Sequence, residues 1–561
     1  MKRTGLALAT ALACLPLSTH AEGFLHAQGK EIVDGTGRPV ILRGMGLGGW
    51  MLQEGYMLNA GGLPQHVMRQ KMIELIGPQR TAEFYTAWLD NDVTKADIDY
   101  MAAAGFNSVR LPMHYELFTP AVEDEPVKGK ITFKEDGFKR IDALLKWCAD
   151  NHIYLILDLH AAPGGQGNDL PIADRDPAEP SLWDDPQNQD KMVALWVELA
   201  RRYKESPWIG GYDLLNEPNW GFQSKADTHG CSETGNAPLA ALYARTIKAV
   251  RAVDTNHLIF VEGNCWGNNY KGMTPDWDGN LALSFHKYWN NTTPDTIQDY
   301  LDLRDRFGKP LWNGESGENS NEWFAADIRM IESRDIGWAW WPLKKFGFNN
   351  PLQVDANPGM ARITDYWAGK APKPSADDAY ASLMTLATHD IRFENTIQHP
   401  DVIDALLRQP GSDATLPYGH HVITANGGDI PAADYDMGRN GIAYFDTTSA
   451  DTHVSTGGPW TKGNDGATYR NDGVDLARDA TGHVYVSQMQ SGEWLRYTVL
   501  ADTGGSYELT LTAGSGTLSM TLNGDAVAPG KVTLDSGRNT LIVKADTSGV
   551  DLSAIRFSAV K

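Results

Sequence analysis

Two glutamates each follow an apolar run, at distant points of the chain. Glu217 stands in the segment Leu214–Pro218, and Glu315 stands in Trp312–Gly317. If folding brings the two carboxylates together, repulsion between their charges separates their pKa values, so that one is protonated while the other is ionised. Such a pair can act as a proton donor and a nucleophile. Taken alone, the Asn-Glu-Pro tripeptide at 216–218 is equally compatible with an ordinary strand-ending turn.

The elements around these glutamates repeat one pattern of apolar run, polar loop and helical stretch. Apolar runs without polar alternation are typical of parallel strands buried on both faces. The pattern predicts a (β/α)₈ TIM barrel over residues 22–370. The alternative, an open doubly wound sheet, is disfavoured because polar residues stand at the run ends. The eight predicted strands are Val40–Gly46, Ser108–Met113, Ile153–His160, Ile209–Asn216, Leu258–Gly263, Leu281–Tyr288, Pro310–Glu315 and Gly337–Leu343.

In this barrel Glu217 ends strand four and Glu315 ends strand seven. Both therefore lie at the C-terminal mouth, where barrel enzymes keep their active sites. Strands four and seven face each other across that mouth. Two carboxylates about 5–5.5 Å apart can flank a glycosidic bond and hydrolyse it with retention of configuration.

The pattern resembles glycoside hydrolase family 5 over roughly residues 25–365. The resemblance implies a retaining β-glycosidase with Glu217 as acid/base and Glu315 as nucleophile. It also rests on further strand-end residues, with Trp340 as an alternative at the last position: Arg110, His160, Asn216, His286, Tyr288 and Trp341.

The resemblance assigns these six residues to substrate binding and to control of the two acids. Each expected role follows from the chemistry of the side chain. Arg110 and Tyr288 hold Glu315, Asn216 binds the sugar 2-hydroxyl, His286 tunes Glu217, His160 binds sugar hydroxyls, and Trp341 forms a stacking floor. No metal ion or organic cofactor is expected, because two carboxylates and water suffice.

The expected substrate is a β-glucan with β-1,3 or β-1,4 bonds. The segments Gly44–Trp50 and His160–Gln166 resemble the branch of the family that contains exo-acting β-1,3-glucanases. The loops Gly167–Asp190 and Asn219–Ala237 can wall one end of a cleft, or be long through insertion alone. The same machinery acting on β-mannan, xyloglucan or xylan is an alternative, and a non-catalytic polysaccharide-binding protein is a second. Candidate aromatic platforms on the mouth loops are Trp220, Trp266 and Trp289.

The sequence pattern changes after the barrel. Residues 371–425 predict a helical extension and linker, with helices at Asp378–Thr388 and Asp401–Leu407. Residues 426–561 alternate in short runs that predict an all-β sandwich of jelly-roll type and resemble a family 6 carbohydrate-binding module. Tyr469 and Trp460 are its candidate sugar platforms. A module that serves only for packing is the alternative, and a structural calcium is in doubt because Pro431 and Ala433 replace two glutamates of the family.

Composition and the N-terminus indicate an exported protein. Residues 1–21 combine Lys2 and Arg3 with a short apolar stretch, which is typical of a signal peptide and predicts a secreted or periplasmic location. The formal net charge of −22 disfavours nucleic acid and anionic membranes as partners and suits a neutral polysaccharide. We expect a monomer. Beyond the signal, Cys148, Cys231 and Cys265 allow at most one disulfide.

Overall fold

A closed barrel of eight parallel strands forms the centre of the protein. The computed structural model describes residues 23–288, 290–447, 466 and 468–560. Strand β8 pairs with both β7 and β1, which closes the sheet and confirms the predicted barrel. The strands are β1 (Arg43–Gly46), β2 (Ser108–His114), β3 (Tyr154–Ala161), β4 (Ile209–Asp213), β5 (Ile259–Glu262), β6 (Leu281–Lys287), β7 (Leu311–Gly317) and β8 (Gly337–Trp341).

Helices surround the barrel, and some of them begin at residues whose side chains accept from free backbone N–H groups. At α3, Thr94 and Asp97 form a capping box, and at α9 the Ser320 side chain accepts from the N–H of Trp323. The helices are α1 (Gln65–Ile76), α2 (Pro78–Asn91), α3 (Lys95–Ala104), α4 (Glu135–Asp150), α5 (Leu170–Ala173), α6 (Pro186–Tyr203), α7 (Ala237–Arg251), α8 (Gln298–Phe307), α9 (Asn321–Glu332), α10 (Pro358–Trp367), α11 (Ala376–Thr385) and α12 (Pro400–Leu407).

The lower interior of the barrel is apolar. Leu25, next to the hairpin formed by His26–Gln28 and Glu31–Val33, packs in one cluster with Ile156 and Phe260. Side chains two residues apart on a strand point to the same face. The positions that follow inside the barrel, toward the C-terminal mouth, are therefore Asp158 after Ile156 and Glu262 after Phe260, both fully buried. The interior thus changes from apolar to charged as it approaches the mouth.

The segment after the barrel returns to cover it. Helices α10 and α11 share an apolar cluster with α1 and α2, and α12 packs on α9. The two predicted helices of this segment are observed as α11 and α12, with starts and ends shifted by up to three residues. A small sheet of Lys344–Lys345, Leu352–Gln353 and Ile397–Gln398 joins the extension to the barrel.

The C-terminal part folds as two largely antiparallel sheets around a shared apolar core, in agreement with the predicted sandwich. The first sheet contains Val422–Ile423, Tyr444–Phe445, Trp494–Ala501, Leu518–Leu522, Asp525–Val527 and Gly537–Ala545. The second contains Gly427–Pro431, Leu476–Arg478, Val484–Met489, Gly505–Ala513, Gly530–Leu534 and Val550–Ala559. The predicted signal peptide and the candidates Trp289 and Trp460 lie outside the described residues. Within the described residues, every helix is too short or too polar to cross a membrane.

Candidate active site

The fold brings the two glutamates to one point of the barrel mouth. Glu217 follows β4, and Glu315 lies in β7 on the opposite side of the barrel. A carboxylate oxygen of Glu217 and one of Glu315 lie within 4.8 Å of each other. The residues are 7% and 6% exposed, so both carboxylates are largely shielded from water but neither is sealed off.

Two donors hold the carboxylate of Glu315. Arg110 Nη1 donates to Oε2 at 2.9 Å, and the Tyr288 hydroxyl donates to Oε1 at 2.8 Å. Arg110 is fully buried, so its positive charge forms a shielded ion pair with the Glu315 carboxylate. Each oxygen thus has a defined partner, and this fixes the orientation of the carboxylate.

His286 is the partner of Glu217. The Nδ1 atom of His286 lies 2.7 Å from Glu217 Oε1 and 3.7 Å from Glu315 Oε2. Burial raises the pKa of Glu217 to about 7, and the charge of Glu315 adds to this rise, whereas the hydrogen bond with His286 opposes it. Glu217 is therefore protonated through the mildly acidic range, as a proton donor must be.

Asn216 connects Arg110 to His160 beside Glu217. The side-chain oxygen of Asn216 accepts from Arg110 Nη2 at 2.8 Å, and its amide nitrogen lies 3.2 Å from His160 Nε2. The other ring nitrogen of His160 lies 2.8 Å from Asp158 Oδ2. Burial lowers the pKa of His160 to about 3, so the ring is neutral. His160 is 1% exposed and both of its ring nitrogens are engaged, one with Asn216 and one with Asp158; its direct contact with sugar hydroxyls stays a prediction.

Trp341 presents its ring to the site, while Trp340 packs into the core with Phe324. The Trp341 ring lies parallel to that of His160, with 5.3 Å between ring centroids. A Cβ atom at Gly46 or at Gly48 would lie 2.5 Å from this ring. The glycines of the Gly44–Trp50 segment therefore let the indole lie flat against the backbone.

Three buried acids beneath the glutamates were not predicted from the sequence. Arg110 Nε donates to Asp213 Oδ2 at 3.0 Å, and Arg110 Nη2 lies 3.2 Å from Asp158 Oδ2 and 3.2 Å from Glu262 Oε1. The signal that could have revealed them is an acid inside or at the end of an apolar strand, because acids are almost never fully buried unless they are paired.

The pKa values of the three acids shift in different directions. Burial raises the pKa values of Asp158 and Asp213 well above the ordinary value, and Arg110 only partly offsets this. Burial would also raise the pKa of Glu262, but the charges of His286 and Arg110 outweigh it and lower that pKa. Glu262 is therefore ionised at neutral pH.

Glu262 also contacts the backbone of the proton donor. Its Oε2 accepts from the N–H of Glu217 at 2.7 Å, and its Oε1 lies 3.1 Å from His286 Nε2. Glu217 has φ of 41°, a left-handed conformation that costs a non-glycine residue about 1–2 kcal/mol. A hydrogen bond to a charged group contributes about 1.5–3 kcal/mol, which is enough to maintain this conformation.

Further acids line the rim of the site. Burial raises the pKa of Glu54 well above its ordinary value, and the charges of Glu315 and Glu217 add to the rise. Tyr56 accepts from Trp341 Nε1 at 2.8 Å, which ties the same loop to the stacking ring. Glu54 was not among the predicted residues, although it lies only four positions after the Gly44–Trp50 segment.

Two mouth loops are joined on the side of Glu217. The side-chain oxygen of Asn219 accepts from the N–H groups of Asn168 and Asp169, which connects the two long loops predicted to wall the cleft. A disulfide between Cys231 and Cys265 links the second of these loops to the segment after β5. Next to this disulfide, Trp266 donates from its ring N–H to Asp169 Oδ2 at 3.1 Å.

The C-terminal sandwich contacts the segment between Glu315 and α9. Asn471 Nδ2 donates to the carbonyl of Asn319 at 2.8 Å, and the backbone N–H of Asn471 donates to Asp401 Oδ2 at 2.8 Å. Asn321 Nδ2 donates to the same oxygen of Asp401. The predicted sugar platform Tyr469 adjoins this contact, is partly buried, and donates its hydroxyl to Asp434. The sandwich therefore supports the backbone beside Glu315.

Glu217, His286 and Glu315 are also close enough to share a metal ion, since one donor atom of each lies within 4.8 Å of the others. Hydrogen bonds already account for this proximity. Hydrolysis of a glycosidic bond by two carboxylates and water needs no metal.

Known proteins resemble the chain in the region of this site. Residues 71–347 match the family model described as Cellulase (glycosyl hydrolase family 5). A β-xylosidase of Phanerodontia chrysosporium is 29% identical over 424 residues, covering 67% of this chain and 84% of that protein. Endoglucanase C of Acetivibrio thermocellus is 30% identical over 201 residues, which cover 36% of this chain and 51% of that protein. Probable glucan 1,3-β-glucosidase A of Aspergillus clavatus is 25% identical over 301 residues, which cover 51% of this chain and 65% of that protein.

Fold, site and similarity agree on the class of protein: this chain is an enzyme, an O-glycosyl hydrolase. The matched residues 71–347 include most of the barrel, which is therefore similar to glycosyl hydrolase family 5. The match spans most of the β-xylosidase but only about half of endoglucanase C.

Proposed function

We propose that the protein hydrolyses β-linked glycans with retention of configuration, through a covalent glycosyl-enzyme. The main support for the proposal is that one carboxylate oxygen of Glu217 and one of Glu315 lie within 4.8 Å of each other. Retaining enzymes have carboxyl groups about 5–5.5 Å apart, whereas inverting enzymes need about 6.5–9.5 Å to admit a water molecule. A pair of oxygens within 4.8 Å is closer than the inverting range and supports retention.

In the first step the ionised Glu315 attacks the anomeric carbon of the sugar. Glu217 donates its proton to the glycosidic oxygen as the bond from carbon to that oxygen breaks. The contacts from Arg110 and Tyr288 orient Glu315 for this attack. Asn216 faces the 2-hydroxyl, where a hydrogen bond strengthens as positive charge develops on the ring.

In the second step Glu217 acts as a base. It takes a proton from water, the water oxygen bonds to the anomeric carbon, and Glu315 leaves as a carboxylate. The pKa of Glu217 near 7 allows both roles close to neutral pH. His286 shares a hydrogen bond with Glu217 in both steps and keeps its oxygen directed at the leaving group.

We propose a β-glucan as the substrate, cut from a chain end. Glu54 and Asp169 add acidic acceptors for sugar hydroxyls close to the two glutamates, and the joined loops at Asn219 narrow the mouth on the Glu217 side. The resemblance to a glucan 1,3-β-glucosidase agrees with this proposal. A xylan-derived substrate is the second candidate, since the β-xylosidase match covers 67% of this chain.

The proposal is tested by labelling and by product analysis. A 2-deoxy-2-fluoro β-glucoside or β-xyloside that forms a stable ester should inactivate the enzyme and add its mass to the peptide containing Glu315. The products from laminarin, barley β-glucan, carboxymethylcellulose, xyloglucan, xylan and mannan identify the substrate and distinguish end from internal cleavage. If Glu217→Ala and Glu315→Ala retain the wild-type rate on every glycan that is cleaved, the assignment is wrong. A non-catalytic polysaccharide-binding protein would cleave none of them.

For the C-terminal sandwich we propose a supporting role rather than glycan binding. Tyr469 is engaged with Asp434 and Tyr418, and its neighbour Asn471 contacts the barrel. Affinity electrophoresis of Tyr469→Ala against the same glycans tests this proposal. A mobility in glycan-containing gels that differs between wild type and variant would favour binding.

We further propose that the protein is exported, with residues 1–21 as the signal. The disulfide between Cys231 and Cys265 supports this proposal, because disulfides persist in oxidising compartments. N-terminal sequencing of the protein recovered from the periplasm and from the medium would locate it and identify the cleavage site.

A further inference from the structure

Glu262 joins the two halves of the active site. It is fully buried at the end of β5 and contacts three groups: the backbone N–H of Glu217, the guanidinium of Arg110 and the ring of His286. Arg110 in turn holds Glu315. Glu262 therefore links the backbone of the proton donor to the residue that holds the nucleophile.

We propose that Glu262 is a positioning residue for the acid/base: its carboxylate holds the backbone of Glu217 in the left-handed conformation that aims the side chain across the mouth at Glu315. The inference rests on the proposed roles of Glu217 and Glu315. It goes beyond them because Glu262 lies beneath the site and acts on the glycan only through Glu217.

The geometry requires a carboxylate of this length at position 262. The Glu217 N–H and Arg110 Nη2 donate hydrogen bonds to this carboxylate, and His286 Nε2 lies 3.1 Å from it as an ion pair; two oxygens without attached hydrogens can face all three groups. An amide at this position would turn an NH₂ group toward at least one donor. An aspartate is shorter by one methylene and would not reach both the Glu217 N–H and the Arg110–His286 pair.

Asp213 provides a matched control in the same charge network. Like Glu262 it is fully buried and accepts a hydrogen bond from Arg110, but its described contacts do not include Glu217. A change at Asp213 therefore perturbs Arg110 and the side of the nucleophile. A change at Glu262 additionally releases the backbone of the acid/base.

The test compares leaving groups in the full-length Glu262→Asp, Glu262→Gln and Asp213→Asn variants. A 2,4-dinitrophenyl β-glycoside departs without protonation, whereas the phenyl β-glycoside depends on the acid, because phenols have a pKa of about 10. Misplacing the acid should lower kcat/KM for the phenyl glycoside about 10²-fold relative to the dinitrophenyl glycoside. Azide, which attacks the glycosyl-enzyme without a base, should raise kcat on the dinitrophenyl glycoside and yield a glycosyl azide. In Asp213→Asn the ratio of the two kcat/KM values should remain that of the wild type.

Equal losses on both substrates in a folded Glu262 variant, with no effect of azide, would show a merely structural role and overturn the proposal. Near-ultraviolet circular dichroism and melting establish folding, and either Glu262 variant suffices if the other fails to fold. Glu217→Ala, measured in parallel, distinguishes a failure of the proposed function from a failure of the role proposed for Glu262. If Glu217→Ala lacks azide rescue and the leaving-group dependence, the proposed function fails and this proposal falls with it. If Glu217→Ala shows both and Glu262 variants show neither, the role of Glu262 alone is refuted.

Discussion

Replacing Glu217 by glutamine should stabilise the protein above neutral pH while it abolishes activity. In the unfolded chain the carboxyl group of Glu217 releases its proton near its ordinary pKa of 4.5, but in the folded protein it retains the proton to about pH 7. An acid with a raised folded pKa contributes stability at low pH, and this contribution is lost as the pH rises through the folded pKa. Glutamine does not titrate, so the variant avoids that loss.

The magnitude follows from the shift in pKa. A rise from 4.5 to about 7 corresponds to about 3 kcal/mol, at 1.36 kcal/mol per unit. No discount for solvent screening is needed, because Glu217 is only 7% exposed. For a cooperative unit of roughly 350 residues the unfolding entropy is about 0.7 kcal/mol/K, so the melting temperature should rise by about 4 °C at pH 8. The difference should shrink between pH 7 and pH 4.5 and vanish below.

Thermal melts of wild type and Glu217→Gln at half-unit steps from pH 4 to pH 8 measure this difference. Glu315→Gln is the control with the opposite sign, since it removes the anion to which Arg110 and Tyr288 donate and should lower the melting temperature at neutral pH. A difference between Glu217→Gln and wild type that stays constant over the whole range would refute the reasoning. The alkaline limb of kcat/KM in the wild type should fall near the same pH of about 7.

Three further predictions concern residues around the pair. Gly46→Ala should lower kcat/KM at least about tenfold, because its Cβ displaces the Trp341 ring; an unchanged value would contradict the role of that ring. Tyr288→Phe should lower kcat about 10²-fold with a smaller change in KM, since it removes a hydrogen bond to Glu315; a change in KM alone would argue against this. Asn471→Ala should destabilise the protein by about 1–3 kcal/mol in thermal or urea unfolding, and no change would mean that the sandwich does not brace the barrel.

The apolar runs of the sequence and the residue types at their ends predicted most of the fold and the main site residues. Buried parallel strands leave continuous apolar runs, and these runs can be counted in the sequence. Each run also predicts which residue stands at the mouth, so Glu217 and Glu315 could be named from the strand ends, and the resemblance to a known family added their six neighbours. The sequence could not give the hydrogen bonds of His160, because a position at a strand end does not reveal whether a ring nitrogen is free or already bonded.

What the sequence by itself determined was the barrel, the sandwich and the two acids at the mouth, because these depend on local hydrophobic periodicity and on the order of the strands. Only the tertiary structure decided the distance between Glu217 and Glu315, the burial that raises the pKa of Glu217, and the presence of Glu262 beneath them. Distance and burial arise from how the strands tilt and close around the barrel, and no short segment of the chain encodes that closure.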